Sequence, residues 1–71
     1  MSYGEKAVGL DFNPSGDEKV TKIKALYAQI IDDLDGLKAD GEHGRNRLLS
    51  IAITEAQGAQ MWAVKAATWR D

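Results

Sequence analysis

The sequence predicts an all-α fold: an antiparallel helical hairpin (residues 16–71) behind a short N-terminal arm (residues 1–15), assembling as a homo-oligomer. Three observations predict it. Two stretches carry apolar residues at alternating steps of three and four, the period of helices with a buried face. A short polar link bracketed by Gly41 and Gly44 joins them. Finally, a monomer of 71 residues hides only about 60% of its unfolded surface, and with no cysteine it lacks the usual disulfide staples, which leaves self-association to supply stability.

In the arm, Val8, Leu10 and Phe12 alternate with Gly9 and Asp11, the pattern of a short extended segment with one face against something apolar. Asn13-Pro14-Ser15-Gly16 ends it, because Pro14 fixes φ and disfavours the helical region at Asn13. Ser15-Gly16-Asp17-Glu18 then fits the S-x-x-E capping box, so the first helix is expected to begin near Gly16. Its seam is Val20, Ile23, Tyr27, Ile30, Leu34 and Leu37, widened by Leu26 and Ile31. Gly36 weakens the last turns, and the helix is expected to end between residues 36 and 40.

The second helix is expected from Arg45 to Thr68, about 36 Å at 1.5 Å per residue. Helices of matched length on a short link pack antiparallel. Of the hydrophobic 44%, ten residues are alanine, and five of them fall on one stripe with Leu49: Ala52, Ala56, Ala59, Ala63 and Ala66. That stripe admits a facing helix at close range. Leu48, Ile51, Ile53, Met61, Trp62, Val64 and Trp69 point elsewhere, so apolar groups occur almost all round the cylinder. Such a helix is normally buried on most sides, and an exposed patch of that size marks an interface. This is the reason to expect an oligomer with the second helix at its centre.

Composition narrows the function. Nine Lys+Arg against eleven Asp+Glu give a net charge of -2, the wrong sign for broad duplex-DNA binding. No run of about 18 apolar residues predicts a membrane span, and the start lacks a signal-peptide layout, so a cytoplasmic protein is expected. His43 is read as a solvated linker residue, and no metal site or cofactor is expected. Asp32, Asp33 and Asp35 read as a solvated face, and Ser15 and Ser50 lack a His or Lys arrangement for nucleophilic use. The inventory disfavours an enzyme.

One oddity points to binding. Lys19, Lys22 and Lys24 occupy the first half of helix one and the aspartates its second, the reverse of what the helix dipole prefers. The amides near Gly16, the Lys19 ammonium and the Thr21 hydroxyl are candidates to gather round a phosphate, with Tyr3 and Phe12 on the arm as stacking lids for a base. Arg45 and Arg47 open helix two at the opposite end of the hairpin, so an oligomer would present two kinds of basic pocket between chains.

The run Arg47-Leu48-Leu49-Ser50-Ile51-Ala52-Ile53-Thr54-Glu55-Ala56, followed by Met61-Trp62-Ala63-Val64-Lys65-Ala66-Ala67-Thr68, resembles the hairpin domain shared by phage anti-CBASS and anti-Thoeris sponge proteins. The resemblance covers about residues 16–69 and is strongest in the second helix, while Gln57-Gly58-Ala59-Gln60 departs from it. It implies a sponge that sequesters cyclic di- and trinucleotide immune signals intact, such as cyclic GMP-AMP, cyclic di-AMP-like molecules and cyclic tri-AMP. It also implies a homohexamer working in the infected host cell. By the same resemblance, Tyr3 and Lys19 match a dinucleotide site, with Phe12 and Lys22 as the alternative pair. Gly16, Thr21 and Arg47, with Arg45 behind it, match a trinucleotide site. The competing expectation is a structural or host-protein-binding hairpin oligomer with no nucleotide ligand, contacting its host through Asp32, Asp33 and Asp35.

Overall fold

Three helices, α1 (Tyr3–Val8), α2 (Glu18–Asp35) and α3 (His43–Ala67), make up the computed structural model, which describes residues 1–71. α2 and α3 form the expected antiparallel hairpin: Val20 near the start of α2 faces the same cavity as Val64 and Thr68 at the end of α3. The body measures 47 × 24 × 13 Å, and its 13 Å thickness leaves no room for a second layer of helices behind the hairpin.

The N-terminal segment departs from the extended reading. Residues 3–8 are helical because Ser2-Tyr3-Gly4-Glu5 is a capping box: the Ser2 hydroxyl accepts from the Glu5 amide at 3.1 Å, and the Ser2 amide donates to Glu5 Oε1 at 2.7 Å. Hydrogen bonding from the Ser2 backbone amide first, and from the Ser2 side chain second, holds the Glu5 carboxyl below the ordinary carboxylate range. Gly9 ends α1 in the left-handed region at φ 62°. There its amide reaches the Lys6 carbonyl and the Leu10 amide the Glu5 carbonyl, a Schellman cap. Val8 and Leu10 both pack on the core because they flank this reversal, which period-two alternation imitates.

α1 lies against α2 at very short range. The Gly4 amide donates to Asp32 Oδ1 at 2.6 Å, and a Cβ on Gly4 would overlap the Ala28 carbonyl oxygen and stand 2.8 Å from its carbon. Gln57 of α3 donates through Nε2 to the Ala7 carbonyl at 3.2 Å, tying α1 to the second hairpin arm as well. The core is the cluster Val8, Ala28, Ile31 and Ile53, with Ala7, Leu10, Tyr27, Leu34 and Ala56 packed on it.

Docking α1 also turns the buried face of α2. Val20, Lys24, Ala28 and Ile31 are the buried positions, Ile31 at 0% exposure, whereas Ile30, Leu37 and Leu26 of the expected seam are exposed. On α3 the buried residues are Leu49, Ile53 and Gln60; Ala52, Ala56 and Ala63 are half-buried, and Ala59 and Ala66 exposed. Met61, Trp62, Trp69, Leu48 and Ile51 are exposed too, in keeping with the all-round apolarity of this helix.

The helix ends differ by a few residues from expectation. The Ser15 capping box does not form, because Gly16 adopts φ 66° and Asp17 takes the cap, its Oδ1 accepting from the Lys19 amide at 2.8 Å. α2 ends at Asp35 and α3 starts at His43 rather than Arg45. Asn46 closes the link: its Nδ2 donates to the Ala39 carbonyl at 2.8 Å and its Oδ1 accepts from the Ala39 amide at 3.1 Å.

Gly4→Ala should force α1 off α2, with a loss of about 1–3 kcal/mol typical of overpacking. Urea denaturation of the variant measures it, and a midpoint equal to the parent's would show that α1 makes no stabilising contact there.

Candidate functional site

The end of the hairpin where α2 begins and α3 finishes carries most of the expected site residues. The chain leaves α1 at Gly9, turns through Phe12 and Pro14, and enters α2 at Glu18. This turn roofs a cavity of about 210 Å³ lined by Phe12, Asn13, Pro14, Ser15, Val20, Lys24, Val64 and Thr68. Phe12 is 73% exposed. Lys19, Thr21 and Lys22 are exposed in the first turns of α2, but the amides expected to gather round a phosphate near Gly16 are taken within the chain: those of Gly16, Asp17, Lys19 and Val20 donate to Asn13, Ser15 and Asp17.

Asn13 organises this turn, a role that sequence reasoning missed. Its Nδ2 donates to the Asp17 carbonyl at 2.9 Å and to Thr21 Oγ1 at 3.1 Å, while its Oδ1 accepts from the Ser15 hydroxyl at 2.7 Å. The Ser15 oxygen in turn accepts from the Asp17 amide at 3.2 Å. Thr21 thus already accepts one bond and keeps its own hydrogen to donate. Gly16 sits at the apex with open space around it.

Lys24 also differs from expectation. Grouped in sequence with Lys19 and Lys22, it is 5% exposed, with its ammonium donating to the carbonyls of Gly9, at 3.0 Å, and Phe12. The same nitrogen lies 5.6 Å from the centroid of the Phe12 ring. The signal was present in the spacing, since position 24 falls four residues after Val20 and four before Ala28.

The two aromatic candidates are separated within one chain. Tyr3 is half-exposed beside the Ala28–Asp32 region of α2, about 14–20 Å along the helix axis from Lys19 at 1.5 Å per residue. Phe12 is the aromatic that shares the Lys19 end. Arg45 and Arg47 lie at the far end, exposed on the first turns of α3, where Arg47 borders a shallow concavity with Ser50, Ile51, Thr54 and Glu55. Towards the C-terminus of α3, Lys65 Nζ stands 5.6 Å from the Trp62 ring and 6.0 Å from the Trp69 ring, an exposed aromatic and cationic patch. No three His, Cys, Asp or Glu side chains come together as metal ligands, and no helix is long and apolar enough to cross a membrane.

The family model described as the Acb2/Tad1 hairpin domain fits residues 5–68. The chain belongs to this family. The span of this Acb2/Tad1 hairpin domain opens inside α1, further towards the N-terminus than the resemblance at residue 16, and so takes in the Phe12 turn with the two long helices. The family is one of sponge domains, consistent with a cyclic-nucleotide-binding role. No curated protein and no solved structure matches the chain.

Asn13→Ala should release the turn from Ser15, Asp17 and Thr21, costing about 1–3 kcal/mol for three lost hydrogen bonds. Amide exchange checks it: the Gly16 amide, bonded to the Asn13 carbonyl at 3.1 Å, should lose protection while Ile53 keeps its own.

Proposed function

We propose that the chain sequesters cyclic di- and trinucleotides without cleaving them, as a phage-encoded sponge against CBASS- and Thoeris-type defence in the host cytoplasm, with binding sites completed where copies meet. Membership of the Acb2/Tad1 hairpin-domain family carries the proposal. The chemistry of the α2 start supports it, since the exposed cations Lys19 and Lys22 and the exposed Phe12 ring lie at one end. A cyclic dinucleotide brings two phosphates and two flat bases. Each stacked base is worth about 1–3 kcal/mol, and nanomolar affinity needs about 12 kcal/mol, so charge-assisted bonds from Lys19 and Lys22 must contribute and the pocket must be preorganised. In this reading Phe12 with Lys19 and Lys22, and Tyr3 from a neighbouring chain, serve dinucleotides. Gly16 and Thr21, with Arg47 and Arg45 of another copy, serve trinucleotides.

The surface supports assembly into an oligomer, which we take to be a hexamer. The chain exposes 5193 Å², whereas a compact monomer of its mass exposes about 4,300 Å². The excess includes Trp62, 71% exposed, together with Met61 and Trp69. The host-protein reading finds less support, because Asp32 accepts from the Gly4 amide and Asp35 pairs with Lys38 at 3.5 Å, which leaves Asp33 alone of the three without a role in the fold.

Incubation with cyclic GMP-AMP or cyclic tri-AMP should deplete the free nucleotide, and denaturing the protein should return it intact; cleaved product would mean an enzyme, and no depletion a structural protein. Lys19→Ala should weaken dinucleotide binding about 10- to 150-fold, the loss of one charge-assisted bond of about 1.5–3 kcal/mol. An unchanged affinity would move the phosphate contact to Lys22. Trp62→Glu should lower the sedimentation coefficient by placing a charge in the covered face, and parent-like sedimentation would show that this face is not the interface.

A further inference from the structure

We propose that Lys24 is a positioning residue for the nucleotide site: it holds the Gly9–Phe12 turn closed and fixes the Phe12 ring at the start of α2 without touching ligand itself. The inference rests on the reading above only in taking Phe12 as a stacking lid. Position 24 belongs to the buried stripe Val20, Lys24, Ala28 and Ile31, where an apolar side chain is the expected choice. Burying an ammonium there is unfavourable unless its donors are matched, and Lys24 makes no ion pair with a carboxylate. What matches them is the turn itself, through the Gly9 carbonyl at 3.0 Å and the Phe12 carbonyl.

The same nitrogen lies 5.6 Å from the centroid of the Phe12 ring, so one cation holds both the backbone and the side chain of that residue. Little else does. Phe12 is 73% exposed, so burial does not fix its ring, and its backbone is otherwise tied by its amide to the Gly9 carbonyl at 2.9 Å. Side chains that break a local packing rule are expected where function needs them. A lid held in place before ligand arrives avoids an ordering cost on binding.

Phe12 is the chain's one phenylalanine, so incorporation of fluorophenylalanine gives a single reporter in the full-length protein. In the unsubstituted chain its fluorine resonance should lie away from the unfolded position. A resonance at the unfolded position there would overturn the proposal before any variant is made. Lys24→Met should bring the resonance towards the unfolded position and speed exchange of the Phe12 amide about tenfold or more, with the exchange of Ile53 unchanged. A resonance that does not move would overturn it. Lys24→Arg, which keeps a cation with several donors, should restore part of the shift, and a resonance no nearer the parent's than that of Lys24→Met would overturn it.

Against nucleotide, Lys24→Met should weaken binding about tenfold in the parent but less than about twofold in a Phe12→Leu background, since the two act as one unit. Equal losses in both backgrounds would overturn the positioning role in favour of a direct contact or a general structural effect. If the unsubstituted protein binds no cyclic nucleotide, the sponge reading fails, and the fluorine and exchange results still decide what Lys24 does to the turn.

Discussion

The close approach of α1 to α2 is the constraint on which the rest of the molecule depends. Two helices alone share one line of contact, and each would leave most of its surface bare. Gly4 lets the α1 backbone come near enough to Ala28 for its amide to reach Asp32. That contact brings Val8 into the cluster with Ala28, Ile31 and Ile53. α2 is thereby covered from two directions, and its buried stripe turns away from the seam of a simple two-helix pair. Ile31, at the centre of the three helices, is completely buried as a result. The turn that carries Phe12 follows directly from where α1 ends, so the position of the proposed lid is set by the packing of a six-residue helix.

That solution covers α2 and leaves α3 half-covered. Its inner side meets α2 through Leu49, Ile53 and Gln60, while Leu48, Ile51, Met61, Trp62 and Trp69 remain exposed. Lys65 between the two indoles lowers the cost of that exposure without removing it. Ala59 and Ala66 are exposed, and their small side chains would let another helix come close. In the proposed assembly of copies such a surface would be covered.

The long helices were legible in the sequence because their apolar period persists over five or six turns and the intervening link is bracketed by glycines. Individual faces were harder to read. The α2 seam admitted two neighbouring choices, and what selects between them is α1, whose own capping box at Ser2–Glu5 was hidden by the alternation of Val8, Leu10 and Phe12. The competing box at Ser15–Glu18 was drawn to the wrong cap because the pattern does not reveal that Gly16 takes a positive φ. Lys24 was misplaced for a related reason: charge suggests solvent, and only the carbonyls of a turn twelve to fifteen residues away make its burial tolerable. Phe12, Gly16, Lys19 and Thr21 do come together at one end, since all lie within a short stretch around a single helix start. Tyr3, Arg45 and Arg47 lie apart from them within one chain, and the proposed meeting of copies that would join them is encoded by no periodicity of a single chain.

The charge order along α2 makes sense in these terms. Lysines in the first turns of a helix work against its dipole, and here Asp17 and Glu18 at the start offset part of that cost while Asp32 is turned to the Gly4 amide. Of the three early lysines, Lys24 is spent inside the fold and Lys19 and Lys22 face solvent. On the proposed reading, the division separates two tasks that a single cation could not perform together. A lysine that must hold two carbonyls has no freedom to follow a phosphate, and one that meets phosphate cannot also fix the ring above it. A fixed lid beside mobile cations suits ligands that share flat bases and phosphates but differ in ring size, because the stacking geometry is set once and the flexible ammonium groups adjust to where the phosphates fall.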